Sequence, residues 1–166
     1  MEDDSREEHR TPARRRAGNQ TLLQKSVSLL SRREYSRREL GEKLRRAGTG
    51  EPPEKIEAVL DALEAKGYLS DKRFAEQLVR AKASRYGRKR LEFELRQRGL
   101  RPDEISEALA GLEETEESRA RAVWERRFSE APSDQKERAR QFRFLLSRGF
   151  SYSAAARVIG DAERNG

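Results

Sequence analysis

The chain has 166 residues, 40% charged and 34% apolar, with a net charge of +7 and a mean hydropathy of −1.07. So charged a composition leaves no large single core, and only short helices that each bury one apolar stripe reconcile it with folding. With no Cys and one His (His9), disulfides and thiolate chemistry are excluded, and a zinc site or a histidine triad has almost no material.

In chain order, residues 1–20 mix acids, Arg, Pro and Gly without an aromatic residue and read as a disordered charged tail. The run Arg14-Arg15-Arg16 there is a possible nucleic-acid contact or simply solvated charge. A first helix is predicted from Leu22 to about Arg33, with Leu22, Leu23, Val27, Leu29 and Leu30 as its apolar residues. Ser36 followed by Glu39 matches a capping box and starts a second helix, which ends at Gly48 with Arg45 and Arg46 in its last turn. Pro52-Pro53 separates it from a third helix over about Glu54 to Lys66. Asp71 is the expected N-cap of a helix over Lys72–Ser84 whose inner face uses Phe74, Leu78 and Ala81. Tyr86-Gly87 breaks the pattern before a helix over Arg88–Arg98, and Pro102 fits the first turn of the next. Further on, Val123, Trp124 and Phe128 read more simply as core than as a stacking site, and Ser129-Glu-Ala-Pro-Ser133 interrupts the helices.

These elements recur. Gly48, Gly99 and Gly149, 51 and 50 residues apart, each close a basic helix: Arg38–Gly48, Lys89–Gly99 and Ala139–Gly149. After each comes an apolar stripe with offsets 0, 3, 4, 7: Ile56, Val59, Leu60, Leu63; then Ile105, Ala108, Leu109, Leu112; then Ala155, Val158, Ile159, Ala162. The expectation is an all-α protein of three tandem three-helix repeats in an elongated, curved array, with repeat 1 over 21–69, repeat 2 over 70–117 and repeat 3 over 118–166.

Charge is unevenly spread. Residues 73–101 carry ten Lys/Arg against three Glu, and residues 102–118 carry seven Asp/Glu and no Lys/Arg. The pattern suits docking on a polyelectrolyte, or equally two solvated faces that neutralise each other. The densest stretch is Arg80, Lys82, Arg85, Tyr86, Gly87, Arg88, Lys89 and Arg90, cations interleaved with an aromatic at a glycine-flexed junction. Such a stretch can grip phosphates and stack a base, or anchor a protein interface. Secondary candidates are Arg37, Arg38 and Lys43 in copy one and Arg140, Arg143 and Arg148 in copy three. Gly48-Thr49-Gly50 lacks the spacing of a phosphate loop, and Glu113, Glu114, Glu116 and Glu117 have no partner for catalysis, so no enzyme, cofactor or metal is expected. No run of 18 apolar residues and no signal-peptide core over 1–20 point to a soluble, cytoplasmic protein without a membrane partner, and the charge to a monomer.

Four stretches, Arg33–Leu40, Gly67–Ala75, Tyr86–Gly99 and Arg143–Phe150, together resemble the RecX family of bacterial modulators of the RecA recombinase. The resemblance covers most of residues 27–160. It departs at Ser70, where a second acid is common, leaving a weaker helix cap, and at Arg88, where proline is common. It implies tandem three-helix repeats that bind along the groove of a RecA filament on DNA and alter, most often inhibit, its assembly, ATP turnover, strand exchange and co-protease activity. Single- and double-stranded DNA would then be weak, sequence-independent partners. The rival expectation is a direct DNA-binding protein, a repressor or coating protein; a helical adaptor for an unknown partner is a third.

Overall fold

The computed structural model describes residues 21–166, so the expected tail, with Arg14-Arg15-Arg16 and His9, lies outside the described residues. The described residues form nine α-helices and no strand: α1 (Leu22–Leu30), α2 (Arg37–Arg46), α3 (Pro53–Ala65), α4 (Asp71–Lys82), α5 (Arg88–Gln97), α6 (Pro102–Ala110), α7 (Glu116–Arg127), α8 (Gln135–Ser147) and α9 (Tyr152–Asn165). None is long and apolar enough to cross a membrane.

Helix starts follow local side-chain chemistry. Thr21, Ser36, Ser70, Thr115, Asp134 and Ser151 each accept a hydrogen bond from the amide three residues on, relieving one unpaired N–H of the first turn. Ser70, not Asp71, therefore caps α4, and the departure from the family pattern there supplies a cap rather than weakening one. The carboxylate of Asp71 faces backwards instead, accepting from the Arg37 amide at 2.8 Å. Two other expectations change. The first helix stops at Leu30, short of Arg33, and turns Ser26 inward while Leu23 and Val27 stay 40% and 42% exposed. In α4 the buried stripe is Phe74, Ala75 and Val79, continued by Ala83; Leu78 is half-buried, and Ala81 lies outside the stripe and is exposed.

The helices pack in threes around three separate cores. Leu40, Leu44, Leu60 and Leu63 centre the first, Leu91 and Leu95 the second, and Leu145, Ala155, Val158 and Ile159 the third. The repeated stripe after each glycine is buried or half-buried at all its positions. The expected boundary between 117 and 118 falls inside the first turn of α7, whose cap is Thr115.

No apolar residue is shared between cores, so polar groups and close backbone approaches join the trios. Between the first and second, Arg73 Nε donates to Glu34 at 3.0 Å and Arg98 pairs with Glu39. Between the second and third, the amides of Gly87 and Lys89 donate to the carbonyls of Arg148 and Gly149 at 2.8 and 3.2 Å. Gly87 has an ordinary φ of −82° and is buried with its Cα against the Gly149 peptide. It is a point of contact, not the flexible joint its sequence suggests. Gly149 combines φ +88° with a position where a Cβ would lie 2.6 Å from the Arg90 amide nitrogen and 3.0 Å from its Cα. Gly48 has a similar φ, +63°, but a Cβ there would meet nothing within 4 Å among the described residues.

These two glycines separate conformation from contact. Gly48→Ala should cost about 1 kcal/mol, the ordinary penalty of the left-handed region. Gly149→Ala should cost about 1–3 kcal/mol more, because overpacking at the junction adds to it. Urea denaturation followed by circular dichroism checks this; equal losses from both would show that the junction tolerates a methyl group.

Candidate partner-binding surface

The α4–α5 turn carries the densest basic stretch, and the structure divides its cations into engaged and available ones. Lys82 Nζ donates to Glu94 at 2.6 Å, and Arg90 Nε donates to the same carboxylate at 3.1 Å. Burial opposes ionisation of Glu94, but these two bonds outweigh it and hold the carboxyl below the usual carboxylate range. Arg88 pairs with Glu92 one turn on, at 2.7 Å. Arg80, Arg85 and Lys89 are exposed and form no ion pair with another described residue. Tyr86 is half-buried against the second core.

Tyr86 begins a strip that crosses from repeat 2 to repeat 3. The guanidinium carbons of Arg90, Arg85 and Arg148 lie 4.7, 5.5 and 5.8 Å from its ring centre. Arg148 also lies 5.0 Å from the centre of Phe144, which meets Phe128 edge-on at 5.2 Å. Arg127 sits 5.4 and 5.8 Å from the Phe128 and Phe144 rings, and Arg140 lies 5.7 Å from Phe128. These distances are within the range where a ring face attracts a cation. Half-buried rings thus hold arginines from two repeats side by side, of which Arg90 and Arg140 also pair with carboxylates. Phe128 is not simply core: unlike buried Val123 and Trp124, it lies at the core's edge, under these cations.

The other copy-three candidates fit around this strip. Arg143 is exposed, with no ion pair to a described residue, and Arg140 pairs with Glu137 at 3.3 Å. The copy-one candidates do not join it. Arg37 Nη2 binds Glu57 at 2.7 Å, and its Nη1 binds Asp61 and Glu64 at 2.8 and 3.1 Å. Burial works against this cation, yet the three carboxylates more than offset it and hold its pKa above the ordinary arginine value. Arg38 lies against the Gly99 turn, and Lys43 beside the ring of Tyr35 at 5.6 Å. No hydrogen bond, ion pair or ring contact links these three to the strip.

Sequence reading missed the residues that make the strip continuous, Phe144 and Arg127, and the one that holds its turn, Arg119. Phe144 occupies the place, five residues before the closing glycine, that Glu94 and Lys43 take in the other copies, so aligning the repeats exposes a ring where a charge stands elsewhere. Arg119 is 5% exposed, and its Nη1 donates to the carbonyls of Ala83 and Tyr86 at 2.9 and 2.6 Å. Burial lowers its pKa, only partly countered by Glu116 and Glu114. Among the described residues no group of three potential metal ligands comes together.

Known proteins share this plan. The profile for RecX, second three-helix domain, matches residues 70–109, and that for RecX, third three-helix domain, matches residues 114–159. The Regulatory protein RecX of Ralstonia nicotianae is 46% identical over 143 residues, 86% of this chain and 89% of that protein. That of Herminiimonas arsenicoxydans is 43% identical over 145 residues, 87% of this chain and 95% of its own. A crystal structure of RecX from Lactobacillus salivarius superposes with a TM-score of 0.71 at 21% identity, covering 86% of this chain and 95% of the other. At that identity the likeness carries the fold alone.

Glu94 makes the surface sensitive to acid. Its carboxyl is held low in the folded protein, so the ionised form stabilises the fold above the ordinary glutamate value of about 4.3. That stabilisation is lost as the pH falls through the lower, folded value. Urea midpoints measured from about pH 6 to about pH 3 should drop more steeply for the unaltered protein than for Glu94→Gln; parallel curves would remove Glu94 from this account.

Proposed function

Because the chain belongs to the RecX family of regulatory proteins, we propose that it is a non-enzymatic regulator that binds the filament a RecA recombinase forms on DNA. It inhibits filament assembly, ATP hydrolysis, strand exchange and co-protease activity, and through them regulates DNA repair and recombination. The observation that supports this reading is the strip running from Tyr86 and Arg148 to Phe144 and Phe128, which presents arginines of two repeats on one surface. A filament repeats its own acidic and phosphate-bearing groups along its length. Two linked patches of modest affinity bind such a target more tightly than either alone. Cations without an ion pair among the described residues, Arg80, Arg85, Lys89, Arg143 and Arg148, supply the contacts, so binding weakens as salt rises. Lys82, Arg88, Arg90 and Arg140 contribute from the strip's engaged positions, whereas Arg37, Arg38 and Lys43 serve mainly the first repeat and its junction.

Composition supports the non-enzymatic part: with no Cys and a single His in the sequence, a thiolate nucleophile or a histidine-based triad has almost no material. Direct action on DNA is the rival reading. It draws on the same cations, and sequence-dependent duplex binding would distinguish it, because each mismatch would then cost about 1–3 kcal/mol.

DNA-dependent ATP hydrolysis by the cognate recombinase should fall when this protein is added well below one molecule per recombinase, at salt where bare DNA is not bound. Reversing Arg85, Lys89 and Arg143 to Glu should abolish that effect while far-UV circular dichroism stays unchanged. Full inhibition by the folded triple variant would sink the site. No inhibition by the unaltered protein, with tight duplex binding instead, would move the function to direct DNA binding.

A further inference from the structure

We infer that Arg119 is a positioning residue that locks repeats 2 and 3 together, so that the cations and rings on both sides of their junction act as one binding surface. Its place in the repeat is telling. Arg119 stands four residues after its helix cap, Thr115, as Phe74 stands four after Ser70. In the second repeat that position fills the core, whereas in the third a guanidinium leaves the core and crosses to the neighbouring repeat.

Burying a cation is costly, and this one has no carboxylate within ion-pair distance among the described residues, while its Nε finds no acceptor. The offsetting bonds all lie across the junction. The carbonyls of Ala83 and Tyr86 belong to the end of α4 and the turn after it, where backbone acceptors lack helical partners and the helix dipole is negative. Arg126, two turns further along α7, donates to the next such carbonyl, Ser84, at 2.5 Å. In the opposite sense, the amides of Gly87 and Lys89 donate to the end of α8. The segment 83–89 is therefore held from repeat 3 at both its carbonyls and its amides. It is the segment that carries Arg85 and Tyr86, and Arg148, whose carbonyl it binds, extends over the Tyr86 ring. The lock rests on the proposed function only for the identity of the partner.

The test uses the full chain with Arg119→Met, Arg119→Lys and Arg126→Ala, followed by amide hydrogen exchange at single residues. In Arg119→Met, exchange at Gly87 and Lys89 should quicken by about tenfold or more, while the amides of Leu95 and Leu145, inside their own helices, stay protected. Arg119→Lys should recover part of the protection. If Arg119→Met proves too unstable, the Lys variant and Arg126→Ala, altered at an exposed residue, should show the same selective loss to a smaller degree. Unchanged exchange at both junction amides overturns the inference. A parallel measurement follows binding to a recombinase filament on single-stranded DNA as salt is varied. Arg119→Met should weaken binding by on the order of tenfold and flatten the salt dependence, although the lost charge is buried and touches no partner. Loosened amides with unaltered filament binding also overturn it. Failure of the unaltered protein to bind the filament would instead count against the proposed function, and the exchange result would still decide whether Arg119 is the lock.

Discussion

The structure depends on a backbone contact between repeats: the amides of Gly87 and Lys89 against the carbonyls of Arg148 and Gly149. It can form only because neither glycine carries a Cβ; one on Gly87 would strike the Gly149 peptide, and one on Gly149 would strike Arg90. Each trio closes its own core, and no buried apolar residue belongs to two of them. Order along the array therefore comes from directional polar contacts, which fix orientation better than they supply stability.

That division explains how a chain with so much charge folds at all. Much of the charge is spent inside the molecule: Arg37 on three acids of α3, Lys82 and Arg90 on Glu94, Arg121 on Asp161 and Glu117. Among the cations left without a carboxylate at the second and third repeats, Arg85 and Arg148 are held over aromatic faces. A ring attracts a cation without neutralising it, so such a cation still presents its full charge to an anion.

The fold was legible in the sequence because helical period, capping serines and closing glycines all act locally. Ile56, Leu60 and Leu63 are buried as their spacing requires, and their counterparts in the later copies are buried or, at Leu112 and Ala162, half-buried. Errors came where tertiary contact overrode local preference. Leu23 and Val27 are apolar yet exposed, because the buried line of α1 runs through Leu22 and Ser26, whose hydroxyl bonds back to Leu22 at 2.7 Å. The surface was legible only in part. Basic residues near Tyr86 stand out by density, but no local rule says that Arg148, 62 residues on, lies over the same ring. Nor does spacing distinguish Arg37, bound up with acids, from Arg85, which is not. Nothing local marks Arg119 either, since burial of a guanidinium depends on acceptors from a distant turn.

The separateness of the three cores has an evolutionary side. A protein with one continuous interior cannot gain or lose fifty residues without reshaping everything that touches them. Here a duplication that copied one whole cassette would bring its own interior with it and need to match its neighbours only at a glycine turn and a few polar groups. Drift could then act on each copy in isolation: a core phenylalanine at one place, an outward-reaching arginine at the same place in the next. Three units of one plan follow one another here, each with its own interior, and each later unit sets its glycine turn against an arginine of the unit before it.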